Sequence, residues 1–455
     1  MATSRPETRK PSVYKPRHPE KTPFFAVLYQ YYDKFKAAYD ERFQKEYGRW
    51  RDVVDKVVGK YFNCGIFLGG FGRLKCPKCG AEKLLALSCK TRAFCPSCSA
   101  KRALLWAEFV QEKVLKPVGH RHVVFTLPKM LRPYFKFHRD LLPILCHAAW
   151  DALREFFEAS LSKGALPGAI LTINTAGDFL GWQPHIHGIV TCGGFLPNGE
   201  FESAPAIDAK TVRELFEAKV FSMLREKGLI SQDIVDKIRS WKHTGFDAWI
   251  GPPIPDIKEI VQIGMYTVRA PAASGRLVLD DEPQLRYYAK GTQPDRDIGG
   301  LFEPESRTYD YLDWIARLTS HIPDRGCQMT HYFAAYSNAH RGKKAKEKSA
   351  SQPGDSPAPA TIEPEEDWVK ARRKSWARLI QQVYEVDPLL CECGGTLKLI
   401  DVIEARTQSD VVGKILKHIK FAFEALPLPA RSPPPSHPEP GGAQDDGSLP
   451  DAYCF

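Results

Sequence analysis

No run of eighteen apolar residues occurs in the 455-residue chain, so no segment is long enough to cross a bilayer as a helix. Residues 1–22 are polar, basic and proline-containing and lack the apolar stretch of a secretory leader. A cytoplasmic chain is therefore expected, with no membrane partner. Acid is nearly missing from one stretch: between Arg73 and Arg102, eight Lys or Arg residues accompany the single acid Glu82. No internal repeat stands out. In a reducing compartment twelve cysteines argue against disulfides and for metal binding or buried thiols.

The cysteines carry the strongest spacing. Cys76-Pro-Lys-Cys79 and Cys95-Pro-Ser-Cys98 are two knuckles with fifteen residues between them. A knuckle lets two thiolates of one tight turn reach the same metal, so the pair predicts a tetrahedral four-sulfur zinc site. Cys64 and Cys89 share the block and read as ligands of a second site, as substitutes in the first, or as buried thiols. A closed four-sulfur site leaves no position for substrate, which makes this zinc structural. Cys391-Glu-Cys393-Gly-Gly is a knuckle one residue short, and with no matching pair it is not assigned a metal.

The net charge of +10 is modest, but its placement is not uniform. Arg73, Lys75, Lys90, Arg92, Lys101 and Arg102 surround the knuckles, and Arg341, Lys343 and Lys344 open a second basic run. These are the candidate contacts to a phosphate backbone. A third cluster follows at Lys370, Arg372, Arg373, Lys374 and Arg378.

Periodicity predicts an aromatic-striped helix over 24–47, a helix over 103–115, a strand over 120–127 and a helix over 141–162. Strands are expected at 169–174 and 185–191, a helix at 211–227, and a hairpin from 276–279 and 284–289. Helices are expected at 309–320 and 330–338. The fold class is α+β, divided as a basic tail (1–23), a zinc-binding domain (24–115), a catalytic domain (116–342), a linker (343–367), a small domain (368–428) and a disordered tail (429–455).

His185-Ile-His187 lies on an expected strand, where residues i and i+2 project from one face and can share a metal ion. His120-Arg-His122 repeats the spacing. In His331-Tyr332-Phe-Ala-Ala-Tyr336 a helix would stack the two phenols on one face, either as a pair of nucleophiles or as core packing.

The cysteine block, HRHVVFTLPKMLRPYF, HIHGIVTCGGF and HYFAAYSNAHR occur in this order over about residues 60 to 342. In that order the chain resembles the rolling-circle transposases of insertion sequences, the two-tyrosine class of the HUH endonuclease superfamily. The resemblance implies a ferredoxin-like antiparallel-sheet nuclease domain behind a zinc-binding domain. It implies a catalytic Mg²⁺ or Mn²⁺ held by His185 and His187, with structural Zn²⁺ apart from it. Tyr332 and Tyr336 would be the nucleophiles, forming a 5′-phosphotyrosine link to single-stranded DNA in the bacterial nucleoid. The third metal ligand stays open among Gln183, His122, His331 and Asn338. Competing expectations are a zinc hydrolase, a non-catalytic zinc-ribbon DNA-binding protein, and a replication initiator or relaxase of the same superfamily.

Overall fold

The computed structural model describes residues 12–13, 18–280, 283–289, 305–350, 386–387 and 389–418. After a two-residue strand β1 (Ser12–Val13), helix α1 (Pro23–Ala37) starts at Pro23, and the Thr22 hydroxyl accepts the Phe25 N–H. The expected aromatic stripe is a core face: Phe24, Leu28, Tyr32 and Phe35 are buried. It continues through a π-turn at Tyr39–Phe43 into α2 (Gln44–Tyr47), and α3 (Asp52–Phe62) folds back against it.

In the cysteine block β2 (Gly70–Lys75) and β3 (Glu82–Ala86) form a hairpin around Cys76 and Cys79. The second knuckle starts α4 (Pro96–Phe109), with Cys95 at its N-cap.

Next come β4 (His120–Thr126), α5 (Arg132–Phe137), α6 (Leu141–Ser160), β5 (Leu166–Ala176), β6 (Trp182–Phe195) and β7 (Phe201–Ser203). Then follow α7 (Ala209–Glu226), α8 (Gln232–Arg239), β8 (Asp247–Ile254) and α9 (Ile257–Thr267). A three-stranded sheet, β9 (Leu277–Leu279), β10 (Gln284–Tyr288) and β11 (Ser306–Asp310), contains the expected hairpin and leads into α10 (Tyr311–Ser320). The chain continues through β12 (Thr330–Ala334) and α11 (Asn338–Ala350).

The central sheet runs β12-β5-β6-β4-β8, antiparallel throughout, with β7 against the end of β6. Alternation divides its faces. Val123, Phe125, Leu171, Ile173, Ile186 and Val190 point to the side covered by α6 and α7. On the other side Ile170 and Ile189 lie under α4 and α9, which cover only part of that face. Strand β8, not expected from the sequence, contains Pro252 and Pro253 and occupies the sheet edge, where missing ladder donors are tolerated.

The expected helix over 330–338 is not formed. Residues 330–334 pair antiparallel with β5, Tyr332 opposite Ile170, and a turn follows. The phenols of Tyr332 and Tyr336 therefore do not stack as a helical pair.

Phe24 meets Trp314 of α10 edge-on at 5.3 Å, and one apolar cluster joins α1 and α3 to Phe94, Cys95 and α10. The N-terminal helices thus share a core with a segment three hundred residues later. Past the linker, β13 (Val386–Asp387) pairs with β1. Strand β14 (Lys398–Glu404) adds to β2, making the sheet β14-β2-β3, and α12 (Ala405–His418) packs Val412 and Leu416 on Phe71. Residues 351–385 and 419–455, with the third basic cluster and the expected disordered tail, lie outside the described residues.

Candidate active site and metal centres

Among the described residues, the groups of three or more His, Cys, Asp or Glu whose ligand atoms converge within 4.8 Å are two cysteine quartets. The expected single site of Cys76, Cys79, Cys95 and Cys98 is not what forms. Cys95 and Cys98 join Cys64 and Cys89, whereas Cys76 and Cys79 join Cys391 and Cys393. The hairpin β2-β3 separates the knuckles, and each finds nearer partners. Cys64 and Cys89 are thus cluster members rather than spectators, and the short knuckle has the partner pair that the sequence did not reveal.

Sulfur separations of 3.5–3.7 Å in the first quartet and 3.6 Å in the second match a tetrahedral edge of about 3.8 Å, expected from zinc–sulfur bonds near 2.3 Å. Both donor sets fit structural Zn²⁺. The backbone N–H groups of Cys79 and Lys78 lower the Cys76 thiol to about 6, as suits a thiolate in a knuckle turn.

The histidines occupy the less covered sheet face. His185 and His187 alternate on β6, and His187 lies opposite Val124 and Thr172. Their rings are 4.9 Å apart. His122, one strand over, stacks on His187 at 5.3 Å and shares a 3.0 Å hydrogen bond between its Nε2 and His187 Nδ1. Burial pushes the His122 imidazole below its ordinary value, so it is neutral at pH 7. His185 Nδ1–H donates to the Gln183 carbonyl at 2.7 Å, which leaves its Nε2 as the lone-pair nitrogen.

Trp106, Ile170, Thr172 and Thr267 line a narrow cleft with His122 and His187. Helix α9 reaches it because Gly264 has no side chain: a Cβ there would stand 2.4 Å from the Trp106 ring and 2.8 Å from Ile189. Thr267 ends that helix in the cleft, and its chain neighbour Tyr266 is 52 % exposed. Trp249 of β8 stands edge-on to His122 at 5.3 Å and is 47 % exposed.

The two expected nucleophiles lie on this same face but deeper. Tyr332 Oη accepts the Trp106 indole N–H at 3.1 Å, and burial raises its pKa. Tyr336 is fully buried, 2.6 Å from His120 Nε2, with its ring against the bare Gly168 Cα. Its pKa is also raised by burial. In this conformation Tyr336 is a core residue with no path to a substrate.

Arg73 forms a two-pronged pair with Glu82, and Lys75 lies 3.7 Å from the same carboxylate. Arg341 binds the Tyr336 carbonyl and lies over the Phe109 and Tyr332 rings. Lys343 and Lys344 are exposed on α11, as are Lys90 and Arg102 by the first quartet, while Arg92 and Lys101 are half-buried. Phe94, inside the second knuckle's approach, is fully buried in the core.

Sequence reasoning missed Tyr266, Trp249 and the Cys391–Cys393 partnership. A lone tyrosine in a helix carries no spacing signal, and the two prolines after Trp249 mask a strand.

Residues 32–127 match the family model described as "Transposase zinc-binding domain", and residues 168–344 match one described as "Putative transposase". The chain is 27 % identical over 311 residues to the transposase for insertion sequence element IS801 of Pseudomonas savastanoi pv. phaseolicola, covering 64 % of this chain and 72 % of that one. It is 24 % identical over 291 residues to "Putative transposase y4qJ" of Sinorhizobium fredii, covering 59 % and 71 %. No solved structure matches. Among the described residues, no helix is long and apolar enough to cross a membrane. Cysteine module and sheet domain therefore each support one reading, an insertion-sequence transposase with a zinc-binding domain.

Proposed function

We propose that this chain cuts and rejoins single-stranded DNA at the ends of its insertion sequence through a 5′-phosphotyrosine link, in rolling-circle fashion. The observation that carries this reading is the placement of His122, His185 and His187 on one sheet face, in a cleft that Thr267 at the end of α9 also lines, next in the chain to the exposed Tyr266. The run β4-α6-β5-β6-α7-β8, with α6 and α7 on the same face, supports a ferredoxin-like nuclease domain.

His185 and His187 would hold a divalent Mg²⁺ or Mn²⁺, with His122 as third donor. Gln183 packs against Gly177, His331 bonds the Gln328 carbonyl near the opposite face, and Asn338 bonds Arg341, so His122 is preferred over all three. Bound there, the cation supplies Lewis-acid polarisation of the phosphoryl oxygens.

Tyr266 is the preferred nucleophile. Its phenol oxygen attacks the phosphorus, the O3′ leaves as a free 3′-hydroxyl, and the phenol proton goes to solvent. The phosphodiester energy is kept in the tyrosyl link, and a 3′-hydroxyl attacking that link reverses the step. Tyr332, behind Trp106, is the alternative nucleophile. Trp249 offers a face on which an unpaired base stacks, which favours single strands over duplex. Lys90, Arg92, Lys101, Arg102, Lys343 and Lys344 supply phosphate contacts, together with Arg73, Lys75 and Arg341. The named relatives favour transposase over initiator or relaxase. The histidine face would be idle in a non-catalytic zinc-ribbon protein.

The test uses a 3′-labelled single-stranded oligonucleotide carrying the element end. A covalent protein–DNA band should form on a denaturing gel with Mg²⁺ or Mn²⁺ and vanish with chelator. No band with either cation would overturn the reading.

A further inference from the structure

The second cysteine quartet lies half outside the residues that match the zinc-binding family model, which end at 127. Its two halves are turns of related build. In the first, the Gly80 N–H bonds the Cys76 carbonyl, and Gly80 takes a left-handed φ of 76°. In the second, the Gly394 N–H bonds the Cys391 carbonyl, with φ 75° at Gly394, and the Cys391 N–H bonds the Gly395 carbonyl. Gly395 lies so close to Cys76 that an added Cβ would be 2.9 Å from its sulfur. The glycine pair thus does what the missing knuckle residue would do, turning the chain tightly enough for both thiols to face Cys76 and Cys79.

What surrounds the four sulfurs is built to keep them together. Leu74 and Leu397 are buried beside Cys76 and Cys391. Leu390 bridges Thr396 below the turn, and β14 continues the pairing along β2 from Lys398 opposite Lys75 to Glu404 opposite Gly70. Lys78 donates to the Cys393 carbonyl at 3.3 Å, and Lys83 pairs with Glu392 at 3.4 Å. Four thiols packed this closely in a reducing compartment have one common explanation, a shared soft cation.

We propose that Cys76, Cys79, Cys391 and Cys393 form a second zinc site, a ribbon split across the chain, which clasps residues 389–418 onto the β2-β3 hairpin. The site closes a loop in which Cys79 and Cys391 are 312 residues apart, so it holds the module after the linker to the module before the sheet domain. It does not depend on the reaction carried out by the sheet domain.

The full chain, purified with zinc present, should contain two zinc ions per molecule by elemental analysis. A Cys391→Ser, Cys393→Ser variant should contain one and keep the far-ultraviolet dichroism of the parent. A Cys393→His variant, which restores a ligand, should hold two again. After tryptic nicking of the linker, the C-terminal fragment should co-elute with the rest of the wild-type chain and separate in the double-serine variant. One zinc in the wild type, two in the double-serine variant, iron in place of zinc, or a fragment that stays docked without Cys391 and Cys393 would overturn the proposal.

Discussion

The cysteine quartets and the histidine face both gather metal-binding side chains, yet they are built on opposite plans. The sulfurs already stand at tetrahedral spacing beside Phe94 and Leu74, with Cys76 and Cys95 almost fully buried and Cys79 at the surface. On the histidine face two imidazoles bond each other, the third is tied to a backbone carbonyl, and exposed Trp249 and the Thr267 end of α9 flank the cleft. A closed, preformed ligand shell suits a metal that holds the fold, and an open incomplete one suits a metal that meets substrate. Substitutions should therefore break structure in one region and chemistry in the other.

The largest effect is expected in the first quartet. Cys95→Ser removes a ligand that also lies in the aromatic core joining α1 to α10, so folding should fail or the melting transition should drop sharply. Structural zinc contributes on the order of 10 kcal/mol in small domains. A protein that melts like the wild type would break the comparison from the structural side.

His187→Ala should do the reverse. Strand cleavage should fall by about two to three orders of magnitude, as expected when several kcal/mol of Lewis-acid stabilisation is lost. Denaturant unfolding should move by no more than about 1 kcal/mol, because the side chain is not fully buried. Retained cleavage would remove the histidine face from the chemistry.

Acid should sharpen the contrast between histidines that face the cleft and those that only pack. Burial pushes His120 down to about 4 and His321 to about 3, both below the ~6.5 of an unfolded chain. The unfolded state then takes up protons first. Stability is full above about pH 6.5 and falls as pH drops, by about 3 kcal/mol from each residue at pH 4. Thiolate protonation acts in the same direction, so the test is the slope. Urea unfolding between neutral pH and about pH 5 should depend less on pH in a His120→Asn, His321→Gln variant than in the parent. An unchanged slope would contradict the assignment.

The smallest effect concerns the packing behind the cleft. Gly168→Ala places a Cβ 2.9 Å from the Tyr336 ring and should cost about 1–3 kcal/mol, read from the unfolding midpoint. A neutral result would mean that Tyr336 can leave its pocket, which would restore it as a candidate nucleophile.

Local pattern made much of this legible. The stripe of α1, strand β4, helices α6 and α7, and the alternation that puts His185 and His187 on one face all follow from spacing within one element. Relations between elements were not legible in the same way. Five residues of β12 with mixed apolar character suit a helix or a strand, and pairing with β5 together with the space at Gly168 decides between them. Cys391 and Cys393, which complete the quartet of Cys76 and Cys79, lie more than three hundred residues away, beyond any spacing rule. Tyr266 carries no periodic signal: it is the chain neighbour of Thr267, which reaches the histidine cleft because Gly264 lets α9 settle onto the sheet.

The most direct test of the central claim is to find the tyrosine that carries DNA. The covalent complex can be trapped with the single-stranded element end, digested with nuclease and trypsin, and its nucleotide-bearing peptide sequenced by mass spectrometry. The mass addition should fall on the peptide between Lys258 and Arg269, at Tyr266, and the adduct should be lost in Tyr266→Phe but not in Tyr332→Phe. An addition at Tyr332 or Tyr336, or an undiminished adduct in Tyr266→Phe, would contradict it.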